Sequence, residues 1–278
     1  MEKINLSNAT FIIPIRLESD DRLRNVITSI CYLLANFKTN IIVHEVDSES
    51  VFAENALPQI TEFLDGSIDG LDHVFEKSYS QAFHRQRVIN DMLMKSTTPV
   101  VVNYDCDVLL PKTTYEYARN MIIKNNVDLV YPYGDGNWQY QIFADDELVT
   151  DFLTKEFDFE ILKKKSKVYM SKYGFCQFFN RDSYISGGME NENFVAYAPE
   201  DVERYYRFTK LGYKVERIND WIYHLEHKRT PNSWINNPYM EKNNEEWEKI
   251  KRMSLDELHK YVKTQSYYLN RIPHNNKN

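Results

Sequence analysis

Two acidic residues one position apart, Asp105 and Asp107, stand in the stretch "NYDCDVLLP" directly after the apolar run Val100 to Val102. Aspartate disfavours strands, and neighbouring carboxylates repel each other. A divalent cation or a sugar hydroxyl between them relieves that repulsion. A plain structural role is also open, because Asp often precedes a helix and a helix is expected at 112–124. A second constellation is "HLEH", with His224 and His227 three apart. On a regular strand these two would face opposite ways, whereas a bend or helical turn lets them converge. Neutral imidazole ligates Mn, Zn and Fe; a carboxylate joined to imidazoles selects a transition metal such as Mn over Ca. Zn is disfavoured without a Cys-x-x-Cys. Ordinary hydrogen-bonded histidines would satisfy the same spacing.

Two further groups could do chemistry. Glu200 and Asp201 open an expected helix at 199–212. Acids there complement the helix dipole, and one held beside a cleft could act as a general base on a hydroxyl. In "FHRQR", Phe83 to Arg87 fall at the start of a helix expected over 81–95. Helix amides and guanidinium groups there favour a phosphate, and Phe83 could stack on a base. Basic residues in a first turn are mildly unfavourable for the helix itself.

The elements that must position these residues alternate in the first half. Strands are expected at 9–15, 40–46, 71–76, 99–104 and 127–133, with helices at 21–36, 51–63, 81–95 and 112–124. Pro58 should kink or break the helix at 51–63. Such alternation implies crossover units and a mostly parallel sheet covered on both faces, an α/β fold. Ligands then sit beyond the carboxyl ends of the strands, where Arg16, Asp47, Asp105 and Asp107 fall. The second half reads as a helix near 145–165, a strand at 174–180, short strands in "YKVERI" and "WIYHLEH", a helix near 241–263 and a frayed tail "PHNNKN".

The chain has 278 residues, 42% hydrophobic, with a net charge of −7, which allows a sizeable core and argues against broad nucleic-acid binding. Three widely spaced cysteines suit a reducing compartment better than a disulfide framework. No run of 18 or more apolar residues is present and the N-terminus lacks a signal-peptide core, so a cytoplasmic protein is expected, with weak membrane attachment through a surface helix still open.

Taken in order, "FIIPIRLES", "FHRQRVIN", "NYDCDVLLP", "FFNRDSYISGGMENENFVAYAPEDVERYYRFTKLGYKV" and "HLEH" resemble a glycosyltransferase of the GT-A fold, nearest the β-1,4-galactosyltransferase and chondroitin-polymerase-like group, over about residues 9 to 228. The resemblance implies that Pro14 and Arg16 contact the nucleotide, that Glu45 or Asp47 holds the uridine, and that Phe83 and Arg85 meet uracil and diphosphate, with His84 in place of the family's Asn. It implies Asp105 and Asp107 as the Asp-x-Asp, with Asp107 and His227 as ligands of Mn2+ (or Mg2+) and His224 replacing a Met ligand. Glu200 and Asp201 match the family's catalytic Glu-Asp, Asp201 being the base. The implied reaction is inverting transfer of a hexose or N-acetylhexosamine, galactose favoured, from a UDP-sugar to a glycan or lipid-linked glycan.

Departures from the pattern are informative. Where the family has a Trp-Gly-Gly lid, this chain has "NFVAYAP", without the glycine hinge. The export anchor of most vertebrate members is missing, so a bacterial-type enzyme of surface polysaccharide synthesis is expected. The resemblance divides the chain into a GT-A domain at 1–235, with a nucleotide-sugar half (1–133) and an acceptor half (134–235), and a helical extension at 236–278. Truncation after about residue 235 is expected to leave nucleotide binding intact. An inactive GT-A domain, or an Asp-x-Asp phosphatase, is the competing reading.

Overall fold

The computed structural model describes residues 2–234 and 236–272. The tail "PHNNKN" and the expected boundary at 235 lie outside the described residues. The first half runs β1 (Ile4–Ile15), α1 (Asp20–Asn36), β2 (Phe37–Asp47), a π-helical turn (Phe52–Ala56), α2 (Leu57–Phe63), β3 (Leu71–Lys77), α3 (Arg85–Lys95), β4 (Val100–Tyr104), β5 (Val108–Leu109), α4 (Lys112–Asn125) and β6 (Leu129–Tyr131). The second half runs β7 (Gly136–Ile142), α5 (Asp146–Thr154), α6 (Phe159–Lys163), β8 (Ser166–Ser171), β9 (Cys176–Asn180), α7 (Arg181–Ser186), α8 (Glu200–Lys210), β10 (Val215–Arg217) and β11 (Ile222–Leu225). Helices α9 (Met240–Arg252), α10 (Leu255–Thr264) and α11 (Ser266–Arg271) follow.

The main sheet has seven strands in the order β10-β6-β9-β4-β1-β2-β3. Strands β3, β2, β1 and β4 are mutually parallel, so their carboxyl ends share one edge. Strand β9 runs antiparallel between β4 and β6. A buried strand needs apolar side chains on both faces, and β4 is buried at all five positions. A second sheet of four strands, β5-β11-β7-β8, closes over that edge. In it β5 pairs antiparallel with β11, β11 parallel with β7, and β7 antiparallel with β8.

Several expectations shift. Helix α3 starts at Arg85 rather than 81, with the His84 side chain as its N-cap. The expected helix at 51–63 is interrupted beside Pro58: a π-helical turn ends at Ala56, and Pro58 sits in the first turn of α2, where the missing N–H is not needed. The expected helix at 145–165 is two helices separated by Glu156 and Phe157, both in left-handed backbone. The expected helix at 241–263 is also two, because Ser254 and Glu257 form a capping box that starts a new one. Strands β7 and β8 had no counterpart in the expected strands.

Candidate active site

At the shared strand edge lies a cleft of about 420 Å3. Its floor is the turn between β4 and β5. Tyr104 donates to the Val108 carbonyl, and its hydroxyl meets that of Tyr115 at 2.8 Å. Helix α1 secures the same turn from behind. Ser29 donates to the Cys106 carbonyl at 2.8 Å, Tyr32 to the Leu110 carbonyl at 2.8 Å and Asn25 to the Leu225 carbonyl at 2.8 Å. These three residues recur at helical spacing and lie on one face of α1.

The two acids of the Asp-x-Asp part company. Asp105 is ion-paired with Arg85, which also reaches Asn103 Oδ1 at 3.4 Å. Asp107 faces the histidines instead: its Oδ2 lies 3.2 Å from His227 Nε2 and its Oδ1 lies 3.7 Å from His224 Nε2. One ligand atom from each of Asp107, His224 and His227 lies within 4.8 Å of the others. The convergence comes from local backbone. His224 pairs with Val108 across the β5–β11 ladder, and the strand ends at Leu225, so His227 turns back. The Leu225 amide donates to the Asp107 carbonyl at 2.8 Å, locking the two segments together.

The outer contacts orient the rings. His224 Nδ1 lies 2.9 Å from Glu226 Oε1, and His227 Nδ1 lies 2.9 Å from the Lys228 carbonyl. With a cation bound, protons on Nδ1 would leave both Nε2 lone pairs free to meet it beside Asp107, the arrangement of a metal-ligating histidine. Gln141 donates to the same Glu226 carboxylate at 2.5 Å. Burial raises the Glu226 pKa, but the bonds and charge from His224 outweigh it and bring the carboxyl down to about 2. Burial likewise pushes Asp107 up, and His224 and His227 pull it well below the usual range. The Cys106 thiol is raised by burial and stays protonated, which leaves a donor set of one carboxylate and two imidazoles. That set fits Mn2+, with coordination positions left for a ligand.

Cationic groups flank the cluster. Arg16 is buried, donating to the Val46 carbonyl at 2.9 Å and to Ser80 at 3.0 Å, with Phe83 5.5 Å away in cation–π contact. Arg16 Nη2 and Arg22 Nε are buried without a partner, and both residues line the cleft. Phe83 is held at the rim through its amide, which donates to Asn232 Oδ1 at 2.8 Å. Pro14 lines the same cleft. Glu45 does not: it is fully buried and spent on Ser50, the Phe52 amide and His73, holding the start of the π-helical turn. A role for Glu45 in holding a uridine is therefore corrected to a structural one. Asp47 lines an adjoining hollow with Arg16, Ser80 and Tyr79.

Helix α8 brings Glu200 and Asp201 to the cleft, near enough to Arg85 for their charges to act on it. Asp201 Oδ1 accepts from Arg204 Nη2 at 2.8 Å. Its Oδ2 lies 3.0 Å from where a β-carbon on Gly174 would stand, so glycine lets the carboxylate approach that segment where both line the cleft. Glu200 is buried, and its Oε2 has no partner. Burial first, then the adjacent Asp201 charge, lifts its pKa to about 8. The helix is anchored by two fully buried arginines. Arg204 grips Glu190 with Nε–Oε1 2.6 Å and Nη2–Oε2 3.0 Å; Arg207 grips Glu203 at 2.7 Å and donates to the Met189 carbonyl at 2.9 Å. Gly188, at φ +100°, admits Arg207 beside it. Sequence reasoning missed Asn25, Ser29, Arg22, Glu226 and these arginines. Only the helical spacing of the α1 polar residues carried a signal.

No family model and no curated protein matches the chain. Among solved structures it is similar to the mannosyltransferase PcManGT from Pyrobaculum calidifontis, solved in complex with GDP-Man and Mn2+: TM-score 0.51, 15% identity, over 80% of this chain. It is also similar to GalNAc-T7, solved with UDP, GalNAc and Mn2+, at TM-score 0.49 and 12% identity over 79% of this chain. The chain spans 58% and 44% of the lengths of these two structures. The mixed α/β architecture, with its mainly parallel seven-stranded sheet, is the GT-A fold.

Proposed function

We propose that the protein is a metal-dependent, inverting glycosyltransferase that moves a hexose or N-acetylhexosamine, galactose type favoured, from a UDP-sugar to a hydroxyl of a glycan or lipid-linked glycan. Surface polysaccharide synthesis in a bacterial cytoplasm, at or near the membrane, is the setting that fits. The observation carrying this reading is the cluster of Asp107, His224 and His227, with both rings oriented by outer partners, at the ligand edge of a GT-A sheet. A divalent cation bound there, Mn2+ or Mg2+, would neutralise charge on a departing diphosphate.

The chain's own groups fill the remaining roles. Asp107, His224 and His227 would hold the cation. The unpartnered N–H groups of Arg16 and Arg22 can donate to phosphate oxygens, which would satisfy two buried donors. Arg85 holds Asp105 in place and adds positive charge. Phe83 and Asp47 border the space available to a base and ribose. Asp201, which lines the cleft with Oδ1 held by Arg204, would take the acceptor proton at Oδ2. The acceptor oxygen would bond to the anomeric carbon from the face away from the diphosphate as the carbon–oxygen bond to that leaving group breaks, which inverts the centre.

The test is transfer or hydrolysis of labelled UDP-sugars with Mn2+. Activity should vanish in EDTA and return with Mn2+. Asp107→Ala should lose Mn2+-dependent turnover while remaining folded, and Asp201→Asn should fall about 100-fold or more in kcat. Full activity in EDTA sinks the metal role, and equal sugar release by Asp201→Asn and the parent sinks the base assignment, leaving a binding domain.

A further inference from the structure

We infer that the β7–β8 ribbon is a docking surface for an anionic lipid bilayer. Strand β8 is the outer strand of the second sheet, paired on one side only, with β7. Residues 163–172, "KKKSKVYMSK", hold five lysines and no acid in a chain of net charge −7. Lys163 is paired with Glu160 at 2.5 Å and Lys165 with Asp145. Among the described residues, Lys164, Lys167 and Lys172 have no carboxylate partner. Between the lysines, Val168, Tyr169 and Met170 are 50%, 55% and 65% exposed. Successive strand residues face opposite ways, so both faces of the ribbon offer apolar surface to solvent. Phe143 is exposed alongside, with Lys167 Nζ 5.1 Å from its ring centre.

Lysines on an edge strand discourage pairing with other chains, yet that gives no reason for the exposed apolar run Val168–Met170, of which Val168 is outside the cleft and Tyr169 and Met170 stand at its margin. A soluble polyanion would match the lysines and leave Val168 and Met170 in water. An anionic bilayer answers both: the headgroups meet the cations and the interface takes the apolar side chains. The attaching element would then be a strand, where the sequence left a surface helix open. Tyr169, Met170 and Lys172 also line the cleft, so docking sets the mouth of the cleft against the lipid surface. That last consequence, access to a lipid-borne acceptor, rests on the transferase reading; the docking surface does not.

Flotation of the full chain with vesicles tests this without any turnover. The protein should partition to vesicles of phosphatidylcholine mixed with phosphatidylglycerol, weakly or not at all to phosphatidylcholine alone, and less as salt rises. Lys164→Glu with Lys167→Glu should weaken partitioning about tenfold or more, and Val168→Ser with Met170→Ser severalfold, with melting temperatures near that of the parent. Binding to neither vesicle, equal partitioning by parent and variants, or capture by a soluble acidic polysaccharide with vesicles ignored would overturn the inference. Because the readout is partitioning, failure of the sugar-transfer reading would leave its outcome untouched.

Discussion

Asp105 and Asp107 are one residue apart and have different partners. A guanidinium meets one carboxylate and two imidazoles surround the other, with unequal results: burial, with the Asp107 and Asp201 charges, keeps Asp105 raised despite Arg85, whereas the imidazoles hold Asp107 low. Glu200 illustrates the opposite case, a carboxyl whose burial is not compensated. Its pKa is raised to about 8, so the folded protein holds a proton that the unfolded chain releases near ordinary glutamate values. Stability contributed through this group is therefore greatest below about 4.5 and is lost as pH rises through 8. Replacing it with Gln should flatten that decline by on the order of a few kcal/mol, as read by urea unfolding at pH 5 and pH 8.5. An unchanged slope would show that Glu200 titrates normally. The residue types at the site were legible because the Asp-x-Asp and the His pair sit at abrupt changes from apolar to polar sequence. Their division of labour was not, since it depends on Arg85 from α3 and the histidines at the end of β11 reaching the turn from separate segments.

At the scale of elements, α1 and α8 carry the positioning. The α1 face of Asn25, Ser29 and Tyr32 reads in sequence as ordinary helix polarity, and only the fold shows that all three bind backbone beneath the cleft. The parallel strands were legible from their unbroken apolar runs. The β7–β8 ribbon was not, because "GNWQYQI" and "SKVYMS" mix polar and apolar residues, and the lysines between resemble a solvated helix. Helix α8 bears the plainest energetic consequence. Arg204→Met leaves the Glu190 carboxylate buried without its bidentate partner, and should cost roughly 3–5 kcal/mol in chemical denaturation. Adding Glu190→Gln should recover part of that loss; no recovery would mean that packing, rather than charge, is what Arg204 supplies. The segment leading into α8 holds Ala196 and Ala198 at φ +59° and +57°, left-handed backbone that glycine would adopt without strain.

For the whole molecule, the C-terminal helices are joined to the site rather than appended to it. Ile250, Leu258, Tyr261 and Val262 bury Phe194 in a second core. Asn243 receives the Val195 amide at 3.2 Å and donates to the Val195 and Ala198 carbonyls at 2.8 and 2.9 Å, bracing the approach to Glu200. Arg271 pairs with Asp91 on α3 and with Glu192. These contacts bear on stability, which is a separate matter from the expectation that truncation after about residue 235 leaves nucleotide binding intact. A chain ending before Met240 should melt about 10 °C or more lower, and a melting temperature equal to the parent's would show the helices to be dispensable. The tail's polar sequence disguised this, because its apolar residues cover only one face of each helix.

The junction of β5 with β11 bears on how an ion would come and go. Main-chain pairing already fixes Asp107 and His224 against each other, so a cation would meet two of its donors in place before it arrives. Entry to such a centre would be paced by the shedding of water by the metal rather than by a rearrangement of the chain, while release would wait on the breaking of the bonds to those donors.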